Sequence, residues 1–536
     1  MIATAWYPVC DLDDIIPDSG VCADVAGRQI AVFRVDDVIY ALDNFDPAGG
    51  ANVLSRGLIG DLGGELVVAS PLYKHHYSLT TGRCLEEPEY SVGTYPARLD
   101  GTTVWINAVE RGRARADAGA TADAPAGTAL GATPKRHLVV IGNGMAGMRT
   151  VEELLRVAPD LYDIEVFGAE PRGNYNRVLL SPVLAGEKRI EDIMLHPLEW
   201  YREHAVTLHS GDAVVAVARG RRRVIARSGR EARYDRLLFA TGSTPTVLPI
   251  PGNDLKGVVT FRDLDDVATM LAAARPRARA VVIGGGLLGL EAANGLKCRG
   301  MHVTVVHLHA RLMDRQLDAT AAALLQSSLE TRGLEFKMLA STVAILGGSQ
   351  VSGVRFADGS ELPAELVVMA AGVRPNVELA RAAGLRCERG IVVDDTLQSF
   401  DPSVYAVGEC VQHRNRTFGL VAPLWEQARV CAAHLAEIGV ARYVSTQPPV
   451  QLKVTGIDLF SVGDLGGGAR TESLVFRDTQ RGVYKRLIVE DDTVRGAVLY
   501  GDTADGPWYA ELMNEARNIG PLRDTLLFGA TQFGAT

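Results

Sequence analysis

The 536-residue sequence contains no C-x-x-C pair, and its seven cysteines stand apart at positions 10, 22, 84, 298, 387, 410 and 431. Dithiol–disulfide exchange needs two thiols within reach of each other, so that chemistry is excluded. An odd, scattered set also suits a reducing compartment, and a cytoplasmic location is expected. Positive charge is scarce as well, the net charge being -9. Nucleic-acid phosphates are held by clustered Lys and Arg, so no nucleic-acid partner is expected. The basic run Arg219–Arg223 reads as a solvated turn between two strands. Long apolar runs are missing too. The most apolar stretch, Ala280–Leu296, is broken by five glycines and carries Glu291, which makes it strand, turn and helix rather than a membrane span. Met1–Asp14 has no basic segment leading into an apolar run, so no signal peptide is expected.

What is present falls into segments. Residues 1–108 carry short strands at Gln29–Val35, Val38–Leu42, Glu65–Ala69, Tyr77–Leu79 and Thr103–Asn107, with Gly49-Gly50, Gly63-Gly64, Thr81-Gly82 and Asp100-Gly101 as turns. That pattern predicts a small antiparallel β domain. Residues 109–135, rich in Ala, Gly, Thr and Arg, bury too little surface to order themselves and read as a flexible linker. From Arg136 apolar strands alternate with helices, the mark of parallel βαβ units. We expect one nucleotide-binding domain over 136–252 and 367–445, a second over 253–366, and a C-terminal α+β domain over 446–536. Strands are expected in the last at Gln451–Val454, Leu474–Arg477, Val483–Val489 and Val494–Tyr500, with a helix near Pro507–Asn518.

Two glycine-rich turns carry the chemistry. The strand His137–Ile141 runs into Gly142, Asn143, Gly144, Met145, Ala146 and Gly147, and a helix is expected over Met148–Arg156. Glycines there let backbone N–H groups approach a pyrophosphate, whose charge the helix N-terminus stabilises. A second strand, Ile164–Phe167, ends near Glu170, which lies 170 − 147 = 23 residues past the last glycine. A ribose-binding carboxylate is expected about 20 residues on. The second unit repeats the plan: Ala280–Ile283, then Gly284, Gly286 and Gly289, a helix Leu290–Lys297 and a strand His302–Val306. Where a carboxylate would select NADH, this unit has His307, with Arg311 and Arg315 able to meet a phosphate. The choice between NADH and NADPH is therefore open. Leu237–Pro245, including Thr241 and Gly242, and Val404–Cys410, including Gly408 and Glu409, are apolar strands ending in small-residue turns.

On these strings the chain from His137 to about Asp464 resembles the two-dinucleotide flavoproteins. VVIGNGMAGMRTVEELL, YNRVLLSPVLAGEK, LMDRQLD, GVRPN and AVGEC resemble the flavin-binding region of the large subunit of NAD(P)H-dependent assimilatory nitrite reductase. The resemblance implies that the first turn holds the ADP part of FAD with Glu170 on its ribose, and that Gly408-Glu409 meet the ribitol. Arg177, Val214, Thr241 and Gly242 join that set. The second turn would hold NADH or NADPH, with Glu291, as catalytic residue, and Gly372 near the nicotinamide. Related ferredoxin reductases place a lysine after the serine of an R-x-x-L-S string; this chain has Arg177 and Ser181 followed by Pro182, so the usual lysine–glutamate pair cannot form.

The N-terminal strings WYPVCDLDDI, ALDNFDPAGGANVLSRG and ASPLYKHHYSLTTGRCLEE resemble the nitrite reductase small subunit, a Rieske-like β domain. A Rieske centre takes Cys-x-His and Cys-x-x-His. The aligned positions are Asp46, Ala48, Ser70 and Tyr73, so all four ligands are gone and no iron–sulfur cluster is expected. His75 and His76 are adjacent, and in a strand they would face opposite ways and share no metal. The sequence ends at Thr536, shortly after RDTLLFG, without the cysteine-rich sections that hold clusters and sirohaem in the resembled subunit. The site that reduces nitrite is thus expected to be absent, and no metal is expected.

The reading is an α/β flavoprotein of two Rossmann-type units with a Rieske-like and an α+β domain. It would be an electron-transfer subunit passing electrons from NAD(P)H through FAD to a separate nitrite or nitrate reductase catalytic subunit. Two rivals stand beside it: a docking or assembly protein with a structural flavin, and a stand-alone NAD(P)H oxidase or ferredoxin-reductase-like enzyme. A peroxidase version would need a redox cysteine, and Arg177–Pro182 offers none. The acceptor and the oligomeric state are not fixed by the sequence, and a homo-oligomer is left open.

Overall fold

The computed structural model describes residues 6–17, 19–36, 38–62, 64–72, 74–109, 135–438, 441–444, 450–454 and 456–530. The expected linker, apart from its end residues, lies outside them, as do Tyr73 and Gly63. The chain gathers into two compact units, residues 1–136 with 150–163 and 428–443, and residues 137–149 with 164–427 and 444–536.

Among its described residues the first unit contains a two-stranded antiparallel sheet, Phe45–Asp46 with Ala51–Asn52, and three three-stranded ones. One joins Trp6–Asp11, Thr103–Asn107 and Ala97–Asp100; one joins Ser19–Val25, Arg28–Val35 and Val38–Asp43; one joins Leu58–Leu62, Glu65–Ala69 and His76–Ser78. Ile30, Ala31, Val32 and Phe33 are consecutive and all 0% exposed. Successive strand residues face opposite sides. Ile30 and Val32 enter one hydrophobic cluster and Ala31 and Phe33 another, so this strand is the partition between two cores. Elsewhere in this unit, Arg136 Nη1 pairs with Glu437 at 2.6 Å and the Tyr162 hydroxyl donates to the Leu435 carbonyl at 2.9 Å.

The second unit repeats one plan twice. A five-stranded sheet runs Val206–Ser210, Tyr162–Gly168, Arg136–Ile141, Arg236–Phe239, Val404–Ala406. Its counterpart runs Val258–Thr260, Leu366–Met369, Arg279–Ile283, His302–Val306, Glu335–Lys337, with every adjacent pair parallel. Strand Leu366–Met369 therefore belongs to the second sheet, and the return to the first domain comes after it, later than the expected 367. Both helices after the glycine turns start earlier than expected, at Met145–Val157 and Leu287–Cys298, because the turn glycines leave their N-termini free to begin at once. Arg219, expected in a solvated turn, instead donates to the Ala383 carbonyl at 2.7 Å and pairs with Asp401 at 3.1 Å.

The C-terminal sheet is antiparallel, in the order Val450–Val454, Ile457–Gly463, Thr493–Tyr500, Val483–Glu490, Glu472–Asp478, and carries the helix Gly506–Asn514. Strand Ile457–Gly463 was not anticipated. Asp318 fixes this sheet against the second nucleotide unit: it caps helix Ala319–Thr331 through the Ala321 N–H at 2.9 Å and accepts from Tyr484 and Arg486 at 2.6 and 3.2 Å. Ile457, Leu459, Tyr484, Val498 and Tyr500 join the same hydrophobic cluster as the sheet and helices of that unit.

Candidate functional site

Each glycine of the first turn has its own reason. Gly142 ends the strand Arg136–Ile141 with φ +115°, and a Cβ there would lie 2.2 Å from the Ala240 carbonyl oxygen. A Cβ on Gly147 would lie 2.8 Å from both the Ala240 methyl and the Gly142 oxygen, so this glycine lets the helix sit down on the strand. A Cβ on Gly144 would meet nothing within 4 Å. Gly144 lacks a side chain facing open space, and that space is a cavity of 1630 Å³. Small-ligand pockets run to about 1,000 Å³, so the room here suits a dinucleotide with a second ligand beside it.

The cavity wall collects residues from distant parts of the chain: Gly142, Gly144, Met145, Ala146, Glu170, Arg177, Thr241, Gly242, Gly408, Glu409 and Glu291 all line it. Glu170 accepts from the Tyr175 hydroxyl at 2.9 Å and from the Arg177 guanidinium, which also donates to the Arg262 carbonyl at 3.0 Å. Gly408, at φ +93°, approaches so closely that a Cβ would stand 3.0 Å from the Ala146 methyl. Its neighbour Glu409 accepts from Ser243 at 2.8 Å and pairs with Arg262. Thr241 and Asn376 exchange two hydrogen bonds of 2.8 Å, tying the end of one nucleotide unit to the crossover from the other. Sequence reasoning missed Arg262, Ser243 and Tyr175. Asn376 stood unused in the GVRPN string, which was its only signal.

Glu291 sits on helix Leu287–Cys298 where that helix faces the cavity. Ser181, the residue before Pro182 at the missing lysine's position, acts on this carboxyl as a donor that favours its charged form. Burial raises its carboxyl from 4.5 to about 7, and the Ser181 bond offsets only part of that. Ser181 is held there by helix packing: a Cβ on Gly295 would lie 2.6 Å from Leu184, so glycine brings helix Leu180–Ala185 against helix Leu287–Cys298.

Not every expected residue reaches the wall. Gly147 is a packing residue, as described. Val214 pairs with Ala226 in the small sheet 214–218/223–226/231–233 and is not among the residues lining the cavity. Gly284, Gly286, Gly289, His307 and Gly372 also lie outside the lining. The first three nonetheless copy the first turn: φ is +126° at Gly284 with a Cβ 2.2 Å from the Ala370 oxygen, Gly286 faces open space, and a Cβ on Gly289 would strike the Gly284 oxygen at 1.9 Å.

In the N-terminal domain, three of the four positions aligned with Rieske ligands, Asp46, Ala48 and Ser70, are joined by hydrogen bonds. Asp46, 0% exposed, accepts from the Ser70 hydroxyl, the Tyr77 hydroxyl at 2.6 Å and the Ala48 N–H at 3.0 Å. Burial first, then Asp46, pushes the Tyr77 phenol far above its usual range. His75 precedes the strand His76–Ser78 rather than lying in it. Each histidine meets a different acid, His75 with Glu87 at 3.6 Å and His76 with Glu86 at 2.6 Å. Among the described residues no group of three His, Cys, Asp or Glu side chains is placed to hold a metal, and no helix is long and apolar enough to cross a membrane.

Two glycine-turn units, and a cavity beside the first that is also lined by the half-buried Glu291 of the second, define a nucleotide-dependent flavin oxidoreductase. Residues 136–434, more than half of the chain, match the pyridine nucleotide-disulphide oxidoreductase family, and the chain belongs to it. FAD and a nicotinamide nucleotide are the cofactors this membership implies. Residues 5–107 match the Rieske-like [2Fe-2S] domain and residues 448–517 the rubredoxin NAD+ reductase C-terminal domain. The chain is 48% identical over 372 residues to a nitrite reductase [NAD(P)H] of Bacillus subtilis (strain 168), covering 69% of this chain and 46% of that protein. It is 45% identical over 385 residues to the assimilatory nitrate reductase electron transfer subunit of the same organism, covering 72% of this chain and 50% of that one. The chain thus spans about half the length of these curated relatives. The crystal structure of the covalent putidaredoxin reductase–putidaredoxin complex matches with TM-score 0.68 and 26% identity, over 73% of this chain and 95% of that one.

Proposed function

We propose that this chain is the flavin module of nitrate or nitrite assimilation, taking electrons from NAD(P)H and delivering them to a separate metalloenzyme subunit. The observation that carries the proposal is the single cavity whose wall joins the first glycine turn, Glu170 and Glu409 to Glu291 of the second nucleotide unit. The open face at Gly144 and the start of helix Met145–Val157 receive the pyrophosphate. Glu170, already held by Arg177 and Tyr175, accepts ribose hydroxyls, and Glu409, oriented by Arg262 and Ser243, accepts from the ribitol. Glu291, with Gly372 and the second turn, receives the nicotinamide end of the coenzyme. The flavin, when bound, supplies the interchange between a two-electron donor and one-electron acceptors. Orientation and exclusion of water are then the protein's main contribution.

The relatives' names support the shuttle role, since one is an electron transfer subunit of a nitrate reductase. No segment of these 536 residues carries clustered cysteines for a sirohaem or an iron–sulfur cluster, and Asp46 and Ser70, two of the four positions aligned with Rieske ligands, are hydrogen-bonded to each other. The test is anaerobic: NADH or NADPH, the chain alone, and either ferricyanide or nitrite. Ferricyanide is expected to be reduced and no ammonium to form. Ammonium produced at a rate comparable to dye reduction would defeat the shuttle reading, and nitrite reduction that begins only on adding a catalytic subunit would support it.

A further inference from the structure

The second nucleotide unit has no acid at the tip of its second strand, where a dinucleotide-binding fold usually holds the adenosine ribose. That tip is His307. Its Nδ1 accepts the Gly285 N–H at 3.1 Å, so the ring is locked against the glycine turn with its proton on Nε2. The side chain is 11% exposed, and Nε2 is buried without a hydrogen-bond partner. Burial lowers the affinity of this ring for a second proton, against the pull of Asp314 and of the Arg311 backbone, so the ring carries no positive charge.

The segment after the tip folds back onto the same turn. The Met313 N–H donates to the Gly285 carbonyl at 3.0 Å, so Gly285 is bonded on both sides. The next residue, Asp314, thereby stands 3.9 Å from His307 Nε2 and 3.9 Å from His309 Nε2, the two rings meeting edge to face at 5.4 Å. Lys337, adjacent through its carbonyl bond to the His307 N–H, spends its charge on Asp358 at 3.8 Å. Arg311 and Arg315 are exposed. The fixed charge facing the buried Nε2 is therefore negative.

We propose that Asp314 supplies the ribose-site carboxylate that His307 displaced from the strand tip, and that the site takes NADH and disfavours NADPH. His307 Nε2 donates to one ribose hydroxyl and Asp314 accepts from another; a 2′-phosphate would meet the carboxylate instead. The inference rests on the nicotinamide-nucleotide reading above and names the coenzyme within it.

Calorimetry on the flavin-loaded full chain tests it through binding rather than turnover, using NAD+ and NADP+. NAD+ is expected to bind at least about tenfold more tightly, the scale of discrimination one charged contact gives. Asp314→Asn is expected to bring the two within about threefold, and Asp314→Glu to keep the preference. Equal binding of both nucleotides by the unaltered chain, or an unchanged ratio in Asp314→Asn, overturns the inference and leaves the coenzyme reading standing. A preference for NADP+ that disappears in Arg311→Ala overturns it in favour of the exposed arginine. Binding of neither nucleotide overturns both.

Discussion

The two glycine turns share a backbone and differ in what stands at the end of the second strand. In both, the first glycine has φ above +110°, with a would-be Cβ 2.2 Å from a carbonyl oxygen, the second faces open space, and the third permits helix–strand contact. At the first turn, Glu170 is an acid already neutralised by Arg177 and steadied by Tyr175. At the second, a neutral imidazole occupies the strand tip and the acid arrives from the following loop. The backbone of the two turns is thus shared, and the side chains at the two tips are what differ.

The same substitution made at both turns should break the symmetry most sharply. Gly144→Val fills the open face of the cavity, and the purified protein should be colourless, while Gly286→Val should stay yellow yet lose NADH-driven dye reduction by about a hundredfold or more. Flavin absorbance and ferricyanide kinetics check both, and a yellow Gly144→Val protein would refute the assignment of that turn. A smaller and more equal effect is expected at the strained first glycines. Gly142→Ala and Gly284→Ala should each cost about 1–3 kcal/mol by thermal melting, since both positions need a left-handed backbone and both would crowd a carbonyl.

Glu291 gives a pH test of the same order. Its carboxyl binds a proton more tightly in the folded chain than in the unfolded one, up to about 7 against an ordinary 4.5. The folded state therefore holds the extra proton across that window, and stability relative to Glu291→Gln should fall as pH rises through it. The loss should level off above about pH 8, at roughly 1–3 kcal/mol. Melting temperatures of the two proteins from pH 4 to pH 9 measure this, and parallel curves would mean that Glu291 is already ionised. The smallest effect is expected outside the nucleotide units: Asp46→Ala should lower the stability of the N-terminal domain by about 1–3 kcal/mol, through buried hydroxyls left unpaired, without changing dye reduction. Elemental analysis of the anaerobically purified chain should find no stoichiometric iron.

Much of the fold was legible because strand, glycine turn and helix follow one another within a few residues. The two turns, the strand His302–Val306 and four strands of the C-terminal sheet needed only local pattern. Trp6–Asp11 was missed because its pairing shifts register between Pro8 and Cys10, which breaks the alternation a strand is read from. Ile457–Gly463 is buried at Leu459, Phe460, Ser461 and Val462 in succession, so it shows no alternation at all. The site was legible at its backbone positions and hidden at its ion pairs. Arg262 meets Glu409 across 147 positions of sequence, and nothing local announces that pairing.

The Asp46 network has a consequence for how the N-terminal domain keeps its shape. A metal centre would staple the two hairpin tips through coordinate bonds that oxygen, acid or a chelator can strip. Here the loop around Asp46 and the loop around Ser70 are joined by hydroxyl protons aimed at one carboxylate. Such a staple is installed by folding alone. A link of this kind forms with the fold itself and is lost when either a buried hydroxyl or the carboxylate is removed.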